Sequence, residues 1–285
     1  MCFSTIFLSS SVVTDVLSVD LTPGEITPLP EGTNFFQLSF LETWRKGSYK
    51  EGRLVNKSTQ LEAQQWLLRY GRFDTFRGVP IYSHIELPFL SIDAQNGFND
   101  QAPVRGLGDI SVAVGFWPYA DFKNHKYWAF GGYLVFPTGN YKSNNLYNPG
   151  SNRYSATLQT AYQANLAPNL IWISAIDSMF FTKNNEFGPQ NLAFEQKPFI
   201  TVQTGFRFLL NKTLAFSASL IKTEGGAYRI NEYEWSKPND IRRYQLGIYQ
   251  FFSKDSVALQ YGGDISTEHG LHEKYRWNVR WTRFF

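Results

Sequence analysis

The segment "RYSATLQTAYQAN", residues 153–165, alternates between apolar and polar side chains. One set of alternating positions carries apolar and aromatic side chains: Tyr154, Ala156, Leu158 and Tyr162. The intervening positions carry hydroxyl and amide side chains: Ser155, Thr157, Gln159 and Gln163. A period of two predicts a β-strand whose side chains point alternately to opposite faces. Because the second face is too polar for a dry core, we expect it to contact water while the first contacts an apolar medium.

The same alternation recurs along the chain, for example in "GDISVAVGF" (108–116) and "FITVQTGFRF" (199–208). It predicts about 12 strands, near residues 34–44, 59–71, 79–91, 106–117, 127–137, 153–165, 170–182, 198–209, 214–223, 242–252, 256–265 and 275–285. Most are roughly 10 to 13 residues long, whereas soluble strands cluster near 5 to 6. A tilted strand that crosses a bilayer needs about 9 to 11 residues. The lengths therefore favour a membrane protein.

The connections alternate between short and long. "APN" (167–169), "NKT" (211–213) and "SKD" (253–255) are tight, whereas the connections at 45–58, 183–197, 224–240 and 267–274 are long. Outer-membrane barrels have short periplasmic turns and longer extracellular loops. We therefore predict an all-β fold: a transmembrane, antiparallel, up-and-down β-barrel in the bacterial outer membrane.

The last predicted strand, "YRWNVRWTRFF" (275–285), has a strongly aromatic face. It looks like the terminal strand of bacterial outer-membrane barrels, which the barrel-insertion machinery reads during assembly. The resemblance implies a membrane-insertion signal formed by Trp277, Val279, Trp281 and Phe285. The opposite face carries Arg276, Asn278, Arg280 and Thr282.

Composition excludes other classes of protein. The net charge of +3 and the absence of a Lys/Arg-rich run argue against a nucleic-acid partner. The sequence contains no run of 18 apolar residues, so it predicts no transmembrane helix. Cys2 is the only cysteine, so one chain can form neither a disulfide nor a thiolate metal site. We expect no cofactor.

Three regions are predicted along the chain. Residues 1–19 resemble a weak or truncated signal peptide, because they are apolar but contain Asp15 and no basic residue. The alternative is the N-terminus of a protein that stays inside the cell. Residues 20–33 form a Pro/Gly-rich lead, interpreted as a periplasmic tether, and residues 34–285 form the barrel.

Four stretches together resemble the outer-membrane transporter family named for the meta-pathway of phenol degradation. They are "DLTPGEITPLPEGTN" (20–34), "GLGDISVAVGF" (106–116), "YLVFPTGNY" (133–141) and "NPGSNRYSATLQTAY" (148–162). The resemblance implies an outer-membrane channel that admits small, often aromatic, compounds. It implies no catalytic residues.

Charged residues with the parity of the polar face are predicted to line the pore. They are Arg69, His84, Glu86, Asp109, Asp177, Arg207, Arg243, Asp264, Arg276 and Arg280. Opposed charges across a lumen set a transverse field that selects small polar or anionic solutes. Alternatively, the charges neutralise each other and plug the barrel, which would then be structural or adhesive. Tyr133, Tyr249 and Phe284 could add aromatic surface to the interior.

Two chemical alternatives are weaker. His84 shares a face with Glu86, as an enzyme acting on lipid would require, but the His-Gln-Ser-Asn-Gly signature of barrel phospholipases is absent. His269 and His272 have a spacing compatible with metal binding, although polar loops often produce it by chance. We therefore predict no catalytic and no metal residues. The sequence favours a passive channel for small, aromatic or anionic solutes over a barrel enzyme, a plugged barrel or a soluble lipocalin-like binder.

Overall fold

The computed structural model describes residues 21–96 and 102–285. The predicted signal peptide, with Cys2, and Asp20 lie outside the described residues. Within the described ranges, no helix has the length and hydrophobicity needed to cross a bilayer.

The described chain is built from β-strands. They are β1 (Asn34–Lys50), β2 (Arg53–Phe76), β3 (Val79–Gln95), β4 (Val104–Leu107), β5 (Ser111–Asp121), β6 (Lys126–Val135), β7 (Ser155–Ala167), β8 (Leu170–Phe181), β9 (Asn184–Phe187), β10 (Leu192–Gln196), β11 (Phe199–Leu209), β12 (Leu214–Gly225), β13 (Tyr228–Ile230), β14 (Asn239–Phe251), β15 (Asp255–Thr267) and β16 (His269–Phe284). Each of the predicted strands overlaps one of these elements.

Twelve of the strands form a closed antiparallel barrel in the order β1, β2, β3, β5, β6, β7, β8, β11, β12, β14, β15, β16. The seam between β16 and β1 closes it, and it extends to Phe285, whose backbone exchanges hydrogen bonds of 2.8 and 2.9 Å with Asn34. Closure leaves no sheet edge with unpaired backbone groups, which is what an apolar bilayer demands. The predicted fold class is confirmed.

The two faces of the wall differ as the alternation predicts. Leu158 and Val114 point outward and are 64% and 63% exposed, whereas Gln163 on the inner face is fully buried. Trp277 and Val279 of the final strand also point outward. The outer face is therefore apolar and the lumen is polar, the reverse of a soluble barrel.

Two predicted loops are wrong. Residues 45–58 form a hairpin in which β1 runs to Lys50 and β2 begins at Arg53, with Glu51 and Gly52 at positive φ in the turn. Residues 267–274 likewise form a tight hairpin between β15 and β16. The register of β1 shifts beside Arg45. Such irregularities interrupt the period of two, so these strand ends do not show the expected pattern.

An apolar cluster lies towards each end of the lumen. The long-loop cluster joins inner residues of β2, β3 and β16 to the β6–β7 connection: Leu61, Ala63, Leu90, Ile92, Ala94, Tyr147 and Leu271. The short-turn cluster joins the opposite ends of the strands to residues that precede β1: Leu21, Ile26, Phe35, Phe73, Trp117, Tyr127, Ala129, Ala161, Ile173 and Ala175.

Candidate solute-binding site in the barrel lumen

A cavity of about 500 Å³ lies inside the barrel. Four arginines line it: Arg69, Arg207, Arg276 and Arg280. Neutral amides add to the polar wall: Gln37, Gln65, Gln159, Gln245, Gln260 and Asn278. The carboxylate of Glu25 also lines the cavity. Aromatic side chains in the lining include Phe35, Phe73, Tyr82, Trp117, Tyr133, Tyr249, Phe251 and Phe284. The volume is in the range of small-molecule sites.

The lead that precedes β1 lies in the lumen and forms part of the cavity wall. The backbone of Leu21 bonds the Gln203 amide in both directions, with its N–H 3.0 Å from Oε1 and its carbonyl accepting from Nε2. The N–H groups of Gly24 and Ile26 donate to Gln163 Oε1 at 2.8 and 3.3 Å. The interpretation of the lead as a periplasmic tether is therefore wrong for these residues. Inward glutamines satisfy backbone groups that would otherwise need water.

Side chains of the lead also bind the wall. Leu21, Ile26 and Leu29 pack in the short-turn cluster, and Trp117 Nε1 donates to the Ile26 carbonyl at 2.8 Å. Gln260 Nε2 donates to Thr22 Oγ1 at 3.1 Å. Glu25 forms an ion pair with Arg280 of β16. The lead is thus held by packing, hydrogen bonds and one ion pair.

Three of the four cavity arginines have a carboxylate partner. Arg69 lies 2.5 Å from Glu86, which also accepts from Ser111 Oγ at 2.7 Å. Arg276 lies 2.6 Å from Glu273, and Arg280 pairs with Glu25. These pairs keep the charges of the inner wall close to balance.

Arg207 differs from the other three. It is 7% exposed, and its guanidinium lies over the rings of Tyr249 and Phe251, with centroids at 4.3 and 5.7 Å. Its Nε has no hydrogen-bond partner. Among the residues that the structure describes, no carboxylate comes within ion-pair distance of it. Arg207 is therefore a buried cation stacked on aromatic rings, and the Glu25 carboxylate acts on it only from beyond ion-pair distance.

The other predicted pore residues lie at several places. His84 and Glu86 face the lumen from β3, and Asp177 lies on the inner face of β8. Arg243 and Asp264 lie near the long-loop end, where Asp264 accepts from the Glu273 N–H at 2.8 Å. None of these five lines the cavity.

Asp109 does not lie on a lumen-facing strand, and that prediction is wrong. It lies in the break between β4 and β5, where its carboxylate accepts from the N–H groups of Gly139 and Ser151 at 2.9 and 2.8 Å. Ser151 Oγ donates to it at 2.5 Å. A buried carboxylate needs several hydrogen-bond donors, and the β6–β7 connection supplies them. Asp109 therefore holds this connection in place.

The histidines form no recognisable catalytic group within the described ranges. His84 contacts the rings of Tyr82 and Tyr133, and its Nε2 lies 3.4 Å from Glu86 Oε1. His272 Nδ1 lies 3.0 Å from Thr267 Oγ1, and His269 Nδ1 lies 3.5 Å from the Glu51 N–H. In the part of the chain that the structure covers, no three His, Cys, Asp or Glu side chains are placed to hold a metal ion.

Outside the lumen, β9, β10 and β13 form a small sheet in the long loops. Arg153, just before β7, lies between Phe181 and Phe194 at 4.2 and 5.0 Å, and burial lowers its pKa to about 10. Hydrogen bonds from Lys183 and Arg229 lower the pKa of the half-buried Glu195 carboxyl. These contacts join the loop sheet to the barrel rim.

The sequence analysis missed the amide row that holds the lead. Gln163, Gln203 and Gln260 each occupy an inward position of an alternating strand, a pattern that is visible in the sequence. Nothing in the pattern shows that the partner of these amides is the backbone of the same chain.

The closed barrel, its apolar outer face and its polar, charged lumen define a bacterial outer-membrane β-barrel, which confirms the predicted fold and location. The signature of the family described as "Putative MetA-pathway of phenol degradation" matches residues 45–268. The chain belongs to this family, as its resemblance predicted.

Solved structures share this fold. The COG4313 outer membrane channel from Pseudomonas putida F1 superposes with a TM-score of 0.89 at 23% identity, over 93% of this chain and 100% of that one. The β domain of the Bordetella autotransporter BrkA gives 0.57 at 11% identity, over 90% and 100%. The TodX monoaromatic hydrocarbon channel deltaS2 mutant gives 0.51 at 8% identity, over 93% of each chain. No curated protein matches the chain in sequence.

Proposed function

We propose that the protein is an outer-membrane channel for the passive uptake of small solutes, aromatic or anionic. The observation that carries this proposal is the cavity of about 500 Å³, bounded by arginines, amides and aromatic rings inside a closed barrel. A barrel with a purely structural role does not need such a lining. The similar proteins support the proposal, since one is described as an outer membrane channel and another as a monoaromatic hydrocarbon channel.

In this function the inward-pointing charged residues determine which solutes pass. This applies both to those that line the cavity and to those elsewhere in the lumen. Outer-membrane lipid surrounds the apolar face. The row formed by Trp277, Val279, Trp281 and Phe285 serves as the signal for the barrel-insertion machinery. Each of these roles follows from side-chain direction: Arg276 and Arg280 point inward, whereas Trp277 and Phe285 point outward.

The lead lies in the solute path, so its movement has to accompany transport. A direct test tethers it in place. Thr22 and Gln260 are in contact, and both are replaced by cysteine in a Cys2→Ser background and bridged by a short, reducible bifunctional thiol reagent. We expect the bridged protein to conduct less in planar bilayers than the same protein after reduction. Gln260→Cys with Cys2→Ser is the control and should be indifferent to the reagent.

A second candidate function is a plugged structural barrel. The lead and the two apolar clusters favour it, because they occupy much of the lumen. The bilayer measurement distinguishes the two functions. If the wild-type protein and the bridged variant after reduction are both correctly folded and heat-modifiable but do not conduct, the result would favour the plugged barrel and contradict the channel. For the enzyme alternative, His84 lies beside Glu86 on the inner face, and among the described residues no histidine is hydrogen-bonded to a serine.

A further inference from the structure

The unpaired cation in the lumen is the starting point. Removing a charge from water without a partner costs free energy, and proteins offset that cost with a counter-ion or a bound ligand. Arg207 has a ring stacked against its guanidinium, but no carboxylate of the described chain lies within ion-pair distance, and Glu25 acts on it only at longer range. Arg69, Arg276 and Arg280 in the same cavity all have one. The position of Arg207 is therefore suited to an anion from outside the chain.

The lead approaches this guanidinium with its backbone and not with a side chain. Gly24 lies directly against it, with φ of 99°, and a Cβ at this position would collide with the Arg207 Nη1 atom. The next residue, Glu25, turns its carboxylate to Arg280. The lead thus brings one carboxylate into the arginine region and pairs it with Arg280, not with Arg207.

An aromatic wall lies across the lumen from Arg207. In the ring of twelve strands, β11 lies six strands from β2, so the two face each other. Phe73 of β2 packs with Phe35 and Tyr82, with ring centroids 6.2 and 4.9 Å away, and with Trp117 at 6.0 Å. Leu21 and Ile26 of the lead cover part of this surface. All four rings also line the cavity, where a planar ring can stack on them. The cavity therefore has a cationic side and an aromatic side.

We propose that the cavity binds one small aromatic carboxylate, with the carboxylate on Arg207 and Arg280 and the ring on the wall formed by Phe35, Phe73, Tyr82 and Trp117. This inference rests on the proposed function, because the ligand would be the solute in transit. The guanidinium fork matches a carboxylate with two parallel hydrogen bonds. Glu25 of the lead competes for Arg280, so the incoming anion replaces an internal carboxylate.

The test measures binding by titration calorimetry of the detergent-refolded full chain. The probes are benzoate, its neutral isostere benzamide, and acetate, which lacks the ring. We expect benzoate to bind at least about tenfold more tightly than benzamide, since a charged hydrogen bond is worth that much or more. Benzoate should also bind more tightly than acetate, which has no ring to stack on the aromatic wall. Arg207→Gln should weaken benzoate about tenfold and leave benzamide unchanged. Arg242→Gln, at an exposed position of β14, is the matched control and should change neither.

Glu25→Gln tests the competition. It removes the internal carboxylate, so benzoate affinity should rise severalfold while benzamide affinity stays constant. Equal benzoate affinity in Arg207→Gln and Arg242→Gln, or benzamide binding as tight as benzoate, would overturn the site. If heat-modifiability shows that Arg207→Gln does not fold, Arg207→Lys serves as the second variant. It keeps the charge without the guanidinium fork and should weaken benzoate binding by a smaller factor. Unchanged affinity in both Arg207→Lys and Glu25→Gln would likewise contradict the proposal.

Bilayer conductance separates this inference from the proposed function. A conducting protein that binds no benzoate would remain a channel without this site. A silent protein whose benzoate binding depends on Arg207 would have the site without being a channel.

Discussion

The two ends of the lumen are filled in different ways. At the long-loop end, Tyr147 is 2% exposed among aliphatic side chains, and Asp109 anchors its connection through three hydrogen bonds. At the short-turn end, the lead combines a few apolar contacts and the ion pair between Glu25 and Arg280 with backbone hydrogen bonds to Gln163 and Gln203. Water can replace the partner of a backbone amide at little net cost, but it cannot replace buried apolar contacts. The comparison indicates that the lead is the more readily displaced of the two.

The largest expected effect comes from breaking the long-loop end. Tyr147→Ala removes a buried aromatic ring and should lower the free energy of unfolding by about 3 kcal/mol. Urea unfolding in detergent, with protease cleavage of residues 136–154, measures it. Tyr154→Ala is the control, because Tyr154 is largely exposed. Equal losses in the two variants would show that Tyr147 does not hold the connection.

A smaller effect is expected at the short-turn end. Gln163→Ala removes three hydrogen bonds to the lead, including that from Gln163 Nε2 to Thr27 Oγ1 at 2.8 Å, and should loosen the lead by about 2 kcal/mol. The readout is the labelling rate of Thr27→Cys in a Cys2→Ser background, which should rise. Gln65→Ala, whose amide also lines the cavity, should leave the rate unchanged. A rate that does not respond to Gln163→Ala would contradict this account of the lead.

A still smaller effect concerns ion selectivity between the two ends. Arg276→Ser with Arg280→Ser leaves Glu273 and Glu25 with fewer cationic partners and should shift selectivity towards cations. Reversal potentials in a salt gradient measure the shift. Arg72→Ser with Arg242→Ser removes the same charge from exposed positions and should have little effect. Identical reversal potentials in the two double variants would exclude a selective role for the inner arginines.

The smallest effect is expected in the loop sheet outside the lumen. The hydrogen bonds from Lys183 and Arg229 lower the pKa of Glu195, so they stabilise the sheet above the ordinary pKa of a glutamate. This stabilisation is lost as the pH falls through the lowered pKa. Protease cleavage within residues 184–196 should therefore increase under strongly acidic conditions. Glu195→Gln should remove that pH dependence, and an unchanged profile would contradict the assignment.

The barrel could be predicted from the sequence because alternation is a local property of each strand. Leu158, Val114 and Gln163 reveal their faces through their neighbours alone. The same alternation also predicted that the four arginines of the cavity point inward. The lead, the site of Asp109 and the two extended hairpins could not be predicted. Each depends on contacts between residues far apart in sequence, such as Gly24 with Gln163, or on bulges that break the period.

The seam between Asn34 and Phe285 has a consequence for how the barrel forms. Eleven of the twelve pairings in the barrel join barrel strands that follow one another along the chain. The pairing at this seam joins the first barrel strand to the last. Bringing distant residues together costs the most chain entropy, so the hairpins should form early and the seam last. Gly32 and Thr33 bond the backbone of Phe73 immediately before the seam begins. The lead is therefore positioned by the first hairpin, and the last strand closes the barrel around it.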